Sequence, residues 1–356
     1  MKIAFFGSSL VSAYWNGAAT YYRGILSALY DRGHRTIFYE PDAWDRQRYR
    51  DIADPPYARS RVYQASAGEV VRTVRAAAEK ADLLVKASGV GVFDSLLEQA
   101  VLEHRKRDCI VAFWDVDAAA TLARIANDPG DPFRSLIPEY DLILTYGGGE
   151  PVTRAYRALG AKRCFPIYNA LDPSTHHPVP PDPTFRATLS FLGNRLPDRE
   201  ERVVEFFFTA ARSRPDATFL LGGSGWDDLA GAYPNVQVLG HVYTEHHNAF
   251  NCSPLAVLNI CRESMARCGF SPPTRLFEAA GAAACVITDA WEGIETFLEP
   301  DRECLVAHTG AGVTEHMREL TSARSREIGR AALARILAEH TYGHRAALLE
   351  QIFREL

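Results

Sequence analysis

The feature that most constrains this chain is a regular alternation of short apolar runs with helical patterns, carried through twice. In the first half, candidate strands fall at 2–6, 36–40, 82–86, 109–114, 141–145 and 164–168. Helical patterns lie near 18–32, 67–80, 94–107, 117–127 and 151–159. Strands that alternate with helices of ten or more residues imply right-handed βαβ units and a parallel sheet. Continuous apolar runs such as Ile110-Val111-Ala112-Phe113-Trp114 suit strands covered on both faces. The segment 172–183 then carries five prolines, which continue neither a helix nor a central strand. Beyond it the alternation restarts, with strands at 187–192, 217–221, 236–239, 255–260, 285–288 and 303–307. Helices follow near 199–213, 244–250, 272–281, 312–320, 324–339 and 343–356.

The pattern predicts an α/β protein of two Rossmann-like domains facing a central cleft. The expected division is 1–172, a Pro-rich linker at 173–184, 185–342, and a last helix at 343–356 packing back on the first domain. A length of 356 residues fits two domains at about 150 residues each. Ligands of such folds sit at the carboxyl ends of the strands.

Composition removes several classes of function. The formal net charge is -5, without the basic excess of a nucleic-acid binder. No apolar stretch reaches the roughly 18 residues of a membrane span. The apolar run at 3–6 ends at Gly7, short of the roughly 7–15 residues of a secretory h-region, so a first strand is expected there. Seven cysteines without a CxxC pair read as free thiols in a reducing compartment, and the expected location is cytoplasmic.

Several segments carry candidate chemistry. In Ser271-Pro272-Pro273-Thr274-Arg275-Leu276-Phe277-Glu278, Ser271 is the expected N-cap and Pro272 the first helical residue. A helix start offers N–H groups and a positive dipole end to phosphate. Arg275 and Glu278 share a face, so a diphosphate at the helix start and ribose hydroxyls on Glu278 fit the spacing; a surface ion pair fits it equally. After the strand at 187–192, Gly193 permits close backbone approach, with Asn194 beside it and Arg195 or Arg199 as phosphate clamps. Gly222-Gly223-Ser224-Gly225 and Gly147-Gly148-Gly149 match neither GxGxxG nor a P-loop, which argues against a dinucleotide enzyme or an NTPase.

In the first half, Ser9 and the segment Asn16-Gly17-Ala18-Ala19-Thr20 are candidates for an acceptor or sugar phosphate, Asn16, Gly17 and Thr20 lying at a helix start; a plain helix start fits that segment equally. Asp115-Val116-Asp117 closes a strand. One of these aspartates is the candidate general base and the other a cap; metal binding by the DxD and two plain cap residues are the alternatives. Eleven histidines show no HExxH or other metal spacing, so neither metal nor cofactor is expected. His176-His177 fall in the linker and His246-His247 on an expected exposed helix. His340-Thr341-Tyr342 with Arg345 reads as a packing turn.

The second half resembles the GT-B glycosyltransferases, and most closely the CgeB/YkvP spore-maturation-protein-like group. The strings that carry the likeness are Ser190-Phe191-Leu192-Gly193 with Arg199, Val238-Leu239-Gly240-His241-Val242-Tyr243, Leu258-Asn259-Ile260, Arg275-Leu276-Phe277-Glu278-Ala279-Ala280-Gly281, Thr288-Asp289 and His340-Thr341-Tyr342-Gly343-His344-Arg345. Asn169-Ala170-Leu171-Asp172-Pro173 and His177-Pro178 extend it. The resemblance implies metal-independent transfer of a sugar from a nucleoside diphosphate sugar, UDP-sugar favoured, to a hydroxyl acceptor held by the first domain. Glu278 then takes the ribose, Arg275, Arg195 and Arg199 the diphosphate, and the Val242-Tyr243 loop the base. Many retaining members carry Glu-x7-Glu, but here the position eight before Glu278 is Phe270. Related folds include nucleotide-sugar epimerases and non-catalytic binding proteins, which are the alternative readings.

Overall fold

The computed structural model describes residues 1–14, 16–229 and 231–356. The chain divides into two compact units, Met1–Tyr168 with Tyr342–Leu356, and Asn169–Thr341.

The first unit is a seven-stranded parallel sheet. Its strands are β1 (Lys2–Phe6), β2 (Arg35–Asp42), β3 (Ala58–Gln64), β4 (Leu83–Ala87), β5 (Ile110–Asp115), β6 (Leu142–Thr145) and β7 (Cys164–Pro166), in the order β3-β2-β1-β4-β5-β6-β7. Strands β4 and β6 are buried along their whole length, as their unbroken apolar runs require. Strand β3 is absent from the sequence reading. It is an edge strand that pairs only with β2, and Arg59, Ser60 and Arg61 dilute its apolar signal. The C-terminal helix Tyr342–Arg354 belongs to this unit. It packs on the helix Ala19–Asp31, whose Gly24 leaves room for the Tyr342 ring; a β-carbon there would lie 2.1 Å from it.

The second unit repeats the topology with six parallel strands. These are β8 (Leu189–Leu192), β9 (Phe219–Gly222), β10 (Val236–Gly240), β11 (Ala256–Asn259), β12 (Val286–Asp289) and β13 (Leu305–Ala307), in the order β10-β9-β8-β11-β12-β13. Numbered from its own first strand, the second sheet reads 3-2-1-4-5-6 and the first reads the same with a seventh strand added, so the strand order reverses beside β1 and beside β8. Those two strand ends are where a doubly wound fold places a ligand. The core of the second unit is Phe-rich: one helical turn at Val204–Phe208 widens to π geometry and sets Phe206, Phe207 and Phe208 all inward.

Residues 173–184, expected as a linker, are laid on the second unit. His177 N donates to Asn248 Oδ1 (3.1 Å) and Asp182 N to Ser253 Oγ (2.8 Å). Proline removes donors but leaves the intervening N–H groups to be satisfied, and this unit satisfies them. The change of unit falls instead at Tyr168–Asn169 and Thr341–Tyr342. There Leu171 N donates to the His340 carbonyl (2.9 Å), and Arg345 Nε to the Tyr168 carbonyl (3.2 Å). All seven cysteines are free thiols, five of them buried, and burial pushes Cys164, Cys285 and Cys304 up to about 12. No helix of the described residues is long and apolar enough to cross a membrane.

Candidate active site

The carboxyl end of β8 is assembled from two interlocked loops. Gly193 N donates to the Gly222 carbonyl (2.9 Å), Arg195 N to the Ser224 carbonyl (3.0 Å) and Ser224 N to Asn194 Oδ1 (3.0 Å). Trp226 Nε1 donates to the Gly193 carbonyl at 2.8 Å. Gly223 adopts φ +119 and approaches so closely that a β-carbon would lie 2.2 Å from the Gly193 carbonyl oxygen. Neither glycine-rich loop can take a side chain at these points. Asn194 therefore joins the two loops, its amide oxygen engaged by the neighbouring turn.

Two guanidinium groups converge on this turn. A β-carbon at Gly193 would lie 2.8 Å from Arg275 Nη2 and 3.1 Å from Arg199 Nη1. Arg275 comes from the helix Thr274–Gly281 and stacks over the Phe191 ring, 5.1 Å from its centroid. Arg199 is buried at the start of the helix Pro197–Val203, its Nη1 donating to the Asn194 carbonyl (3.2 Å) and its Nε without a partner. Burial, and then the charge of Arg275, pull the Arg199 guanidinium down to about 9. Two like charges held together beside a glycine make a site for an anion of matching charge.

Arg195 does not join them. Its guanidinium pairs with Glu200 and Asp228 (2.7 Å) and lies over Trp226. These local carboxylates engage the fork that the sequence reading offered as a phosphate clamp. Val242 begins the loop expected to take the base. Its side chain is buried with Leu220 and Phe250, and its carbonyl accepts from His247 Nε2 (3.2 Å). Tyr243 is 63% exposed and edge-on to His241, open to a planar group.

The helix that carries Arg275 and Glu278 starts later than its sequence implies. Ser271 is not the N-cap; its hydroxyl donates to the Gly269 carbonyl (2.8 Å). Pro272 is not helical either. A proline forces its predecessor out of the α region, so Pro273 holds Pro272 extended, and the helix begins at Thr274. Asn169, quoted in the resemblance but given no role there, orients this start: its Nδ2 donates to the Pro272 carbonyl (3.2 Å) and its Oδ1 accepts from Thr274 Oγ1 (3.2 Å). Glu278 stands one turn beyond Arg275 on the same helix, half-buried, with His176 Nε2 at 3.9 Å from its Oε1. Phe270 sits at φ +44, packed against Gly293.

In the first unit, the loop after β1 is closed on itself. Ser8 Oγ donates to Asn16 Oδ1 (2.7 Å), and Asn16 Nδ2 donates to the carbonyls of Ser9 (2.7 Å) and Ser12 (2.9 Å). Ser9 Oγ accepts from Ser12 N (3.1 Å). Gly17 and Thr20 are exposed, the helix beginning at Ala19. Asp115 is fully buried. Its Oδ1 accepts from Ser88 (2.8 Å), Asp117 N (3.0 Å) and Thr121 (3.1 Å), and its Oδ2 from the Tyr156 hydroxyl. Burial raises its carboxyl above the usual range. Asp115 is thus the structural member of the pair. Asp117 is half-buried at the N-cap position without a side-chain cap bond.

Solved structures of the same architecture cover the whole chain. Sucrose-phosphate synthase from Thermosynechococcus elongatus aligns with a TM-score of 0.73 at 14% identity, covering 100% of this chain and 98% of that one. HepE of Anabaena, solved with UDP and glucose, gives 0.69 at 13% identity over 100% of both chains. BGT of phage T4, solved with its UDP-glucose substrate, gives 0.62 at 13% identity, over 100% of this chain and 99% of that one. The fold is that of the GT-B glycosyltransferases. In sequence, residues 199–351 of this GT-B chain match the family model described as glycosyl transferase-like, a span that contains Arg199, Arg275 and Glu278. No curated protein matches it in sequence.

Proposed function

We propose that the chain moves a sugar from a nucleoside diphosphate sugar to a hydroxyl-bearing acceptor, as a hexosyltransferase of the CgeB/YkvP-like kind. The observation that carries the reading is the convergence of Arg199 and Arg275 on Gly193, at the strand end where the sheet order reverses, with Glu278 one turn further along the helix of Arg275. A diphosphate fits the two cations, and the ribose hydroxyls fit the carboxylate. UDP is the favoured nucleotide, because HepE and phage BGT were solved with UDP or UDP-glucose. Seven free thiols suit a cytoplasmic enzyme.

The leaving diphosphate gains negative charge as the glycosidic bond breaks. Fixed guanidiniums in a partly dry site stabilise that charge more in the transition state than in the ground state. These two arginines supply the positive charge, so the transfer step needs no metal. The acceptor belongs to the first unit, where Asp117 takes the hydroxyl proton as the new bond forms.

Calorimetry with UDP, GDP, dTDP, ADP and CMP tests the reading. UDP binds selectively, and Glu278→Ala weakens it by about 10–150-fold, the equivalent of about 1.5–3 kcal/mol for hydrogen bonds to a charged group. Equal affinity in the variant removes Glu278 from the ribose. Conversion of donor without acceptor indicates an epimerase, and binding without turnover a non-catalytic protein.

A further inference from the structure

Glu278 is not isolated beneath the donor site. Two histidines from other parts of the second unit lie beside it, His176 in the Pro-rich segment and His247 at the start of the helix His247–Cys252. One donor atom from each of the three residues lies within 4.8 Å of the other two. The histidine rings are 5.8 Å apart at their centroids. His176 is 5% exposed, and its Nε2, the atom 3.9 Å from Glu278, has no hydrogen-bond partner. That distance is too long for a hydrogen bond. His247 likewise has one buried ring nitrogen, Nδ1, without a partner.

The remaining ring nitrogens are held by oxygens. His176 Nδ1 lies 3.0 Å from Thr175 Oγ1, and His247 Nε2 lies 3.2 Å from the Val242 carbonyl. A carbonyl only accepts, so His247 Nε2 carries the proton and its other nitrogen presents a lone pair. Oxygen partners of this kind orient the imidazoles of metal sites. Two imidazoles, each with one buried ring nitrogen lacking a partner, and a carboxylate, all partly withdrawn from water, form a donor set that a cation satisfies.

We propose that His176, His247 and Glu278 form a binding site for a divalent transition ion, with Zn²⁺ as its natural probe. Two nitrogens and one carboxylate oxygen match zinc, whereas magnesium and calcium take oxygen ligands. Bonds of about 2.0–2.2 Å hold tetrahedral ligands about 3.5 Å apart, so the 3.9 Å pair needs only a small side-chain adjustment. Three protein ligands leave a fourth position open. If the donor reading above holds, on which this one consequence rests, the ion and the ribose compete for Glu278, and bound zinc lowers nucleotide affinity.

The test uses the full-length protein freed of metal and without nucleotide. Zn²⁺ is titrated by calorimetry, and Co²⁺ by visible absorption. One equivalent per chain is expected for the wild type and for His246→Ala, a change at the exposed neighbour. His176→Gln and His247→Gln each weaken the affinity at least about tenfold. No uptake, or uptake unchanged in both glutamine variants, overturns the site. Should either variant misfold, the wild-type Co²⁺ spectrum decides. Weak ligand-field bands alone support a His–His–Glu site, and an intense thiolate charge-transfer band assigns the ion to cysteine and overturns the proposal. A final UDP titration with zinc bound separates the two readings: a site that fills with zinc while UDP affinity stays constant retains the metal centre and removes Glu278 from the ribose.

Discussion

The strand ends after β1 and β8 occupy the same place in the same topology, and they use their polar groups differently. After β1, Ser8, Ser9, Ser12 and Asn16 bond to one another, and the buried Glu40 accepts from Leu10 N (2.8 Å). The loop's own side chains are neutral, and two arginines cover its backbone: Arg46 Nη1 donates to the Ser8 carbonyl (3.1 Å) and Arg23 Nε to the Leu10 carbonyl (2.8 Å). After β8, glycines remove the side chains and two guanidiniums fill the vicinity, one of them buried against its own charge. A loop whose groups satisfy each other is rigid and indifferent to ligand. One that holds like charges together is costly until an anion arrives. The contrast supports the proposed placement of the nucleotide at the second unit.

The largest effect expected from this contrast is catalytic. Asp117→Asn lowers turnover about 10²–10⁴-fold with UDP affinity almost unchanged, as for loss of a general base. Steady-state rates and calorimetry on one preparation measure both, and normal turnover removes the base role. Next, Arg275→Ala weakens UDP by about 10–150-fold, whereas Ser9→Ala at the matching loop of the first unit leaves UDP affinity within about twofold. Equal losses in the two variants would break the comparison.

Glycine sharpens it further. Gly193→Ala pushes a β-carbon to 2.8 Å from Arg275 Nη2 and weakens UDP by roughly tenfold, about 1.4 kcal/mol. Gly17→Ala enters open space and leaves stability within about 0.5 kcal/mol. Denaturant titration and UDP binding read both changes.

The smallest effect is a gain. Arg199→Met weakens UDP about as much as Arg275→Ala does, yet raises the melting temperature by about 2–4 °C, because the folded chain no longer confines that charge. Burial and the charge of Arg275 lower the folded guanidinium from its ordinary value to about 9. Between those values the unfolded chain holds more protons, so wild-type stability rises with pH there and the advantage of methionine shrinks above about pH 9. A melting temperature lower than wild type at neutral pH contradicts the account.

The periodicity of the sequence located twelve of the thirteen strands, because buried parallel strands are continuous apolar runs that need no partner to be recognised. Strand β3 escaped because an edge strand satisfies only one neighbour and tolerates arginines. Arg275 and Glu278 were legible together because three residues on a helix fix a common face. The start of their helix was misread at Ser271-Pro272, where capping preference pointed one way and the second proline imposed the other. Arg195 and Arg199 looked equivalent as letters; only the nearby Glu200 and Asp228 on one side, and burial beside Arg275 on the other, separate them.

The sequence by itself determined the two parallel α/β sheets and the helix that carries Arg275 and Glu278, since both follow from local periodicity. The tertiary structure alone decided which arginines converge, which aspartate is buried, and that His176, His247 and Glu278 meet. These residues are separated by 71 and 31 positions, and no spacing rule links them. Their proximity arises from the Pro-rich segment and two helices being packed on one sheet, and packing, unlike periodicity, is a property of the whole fold.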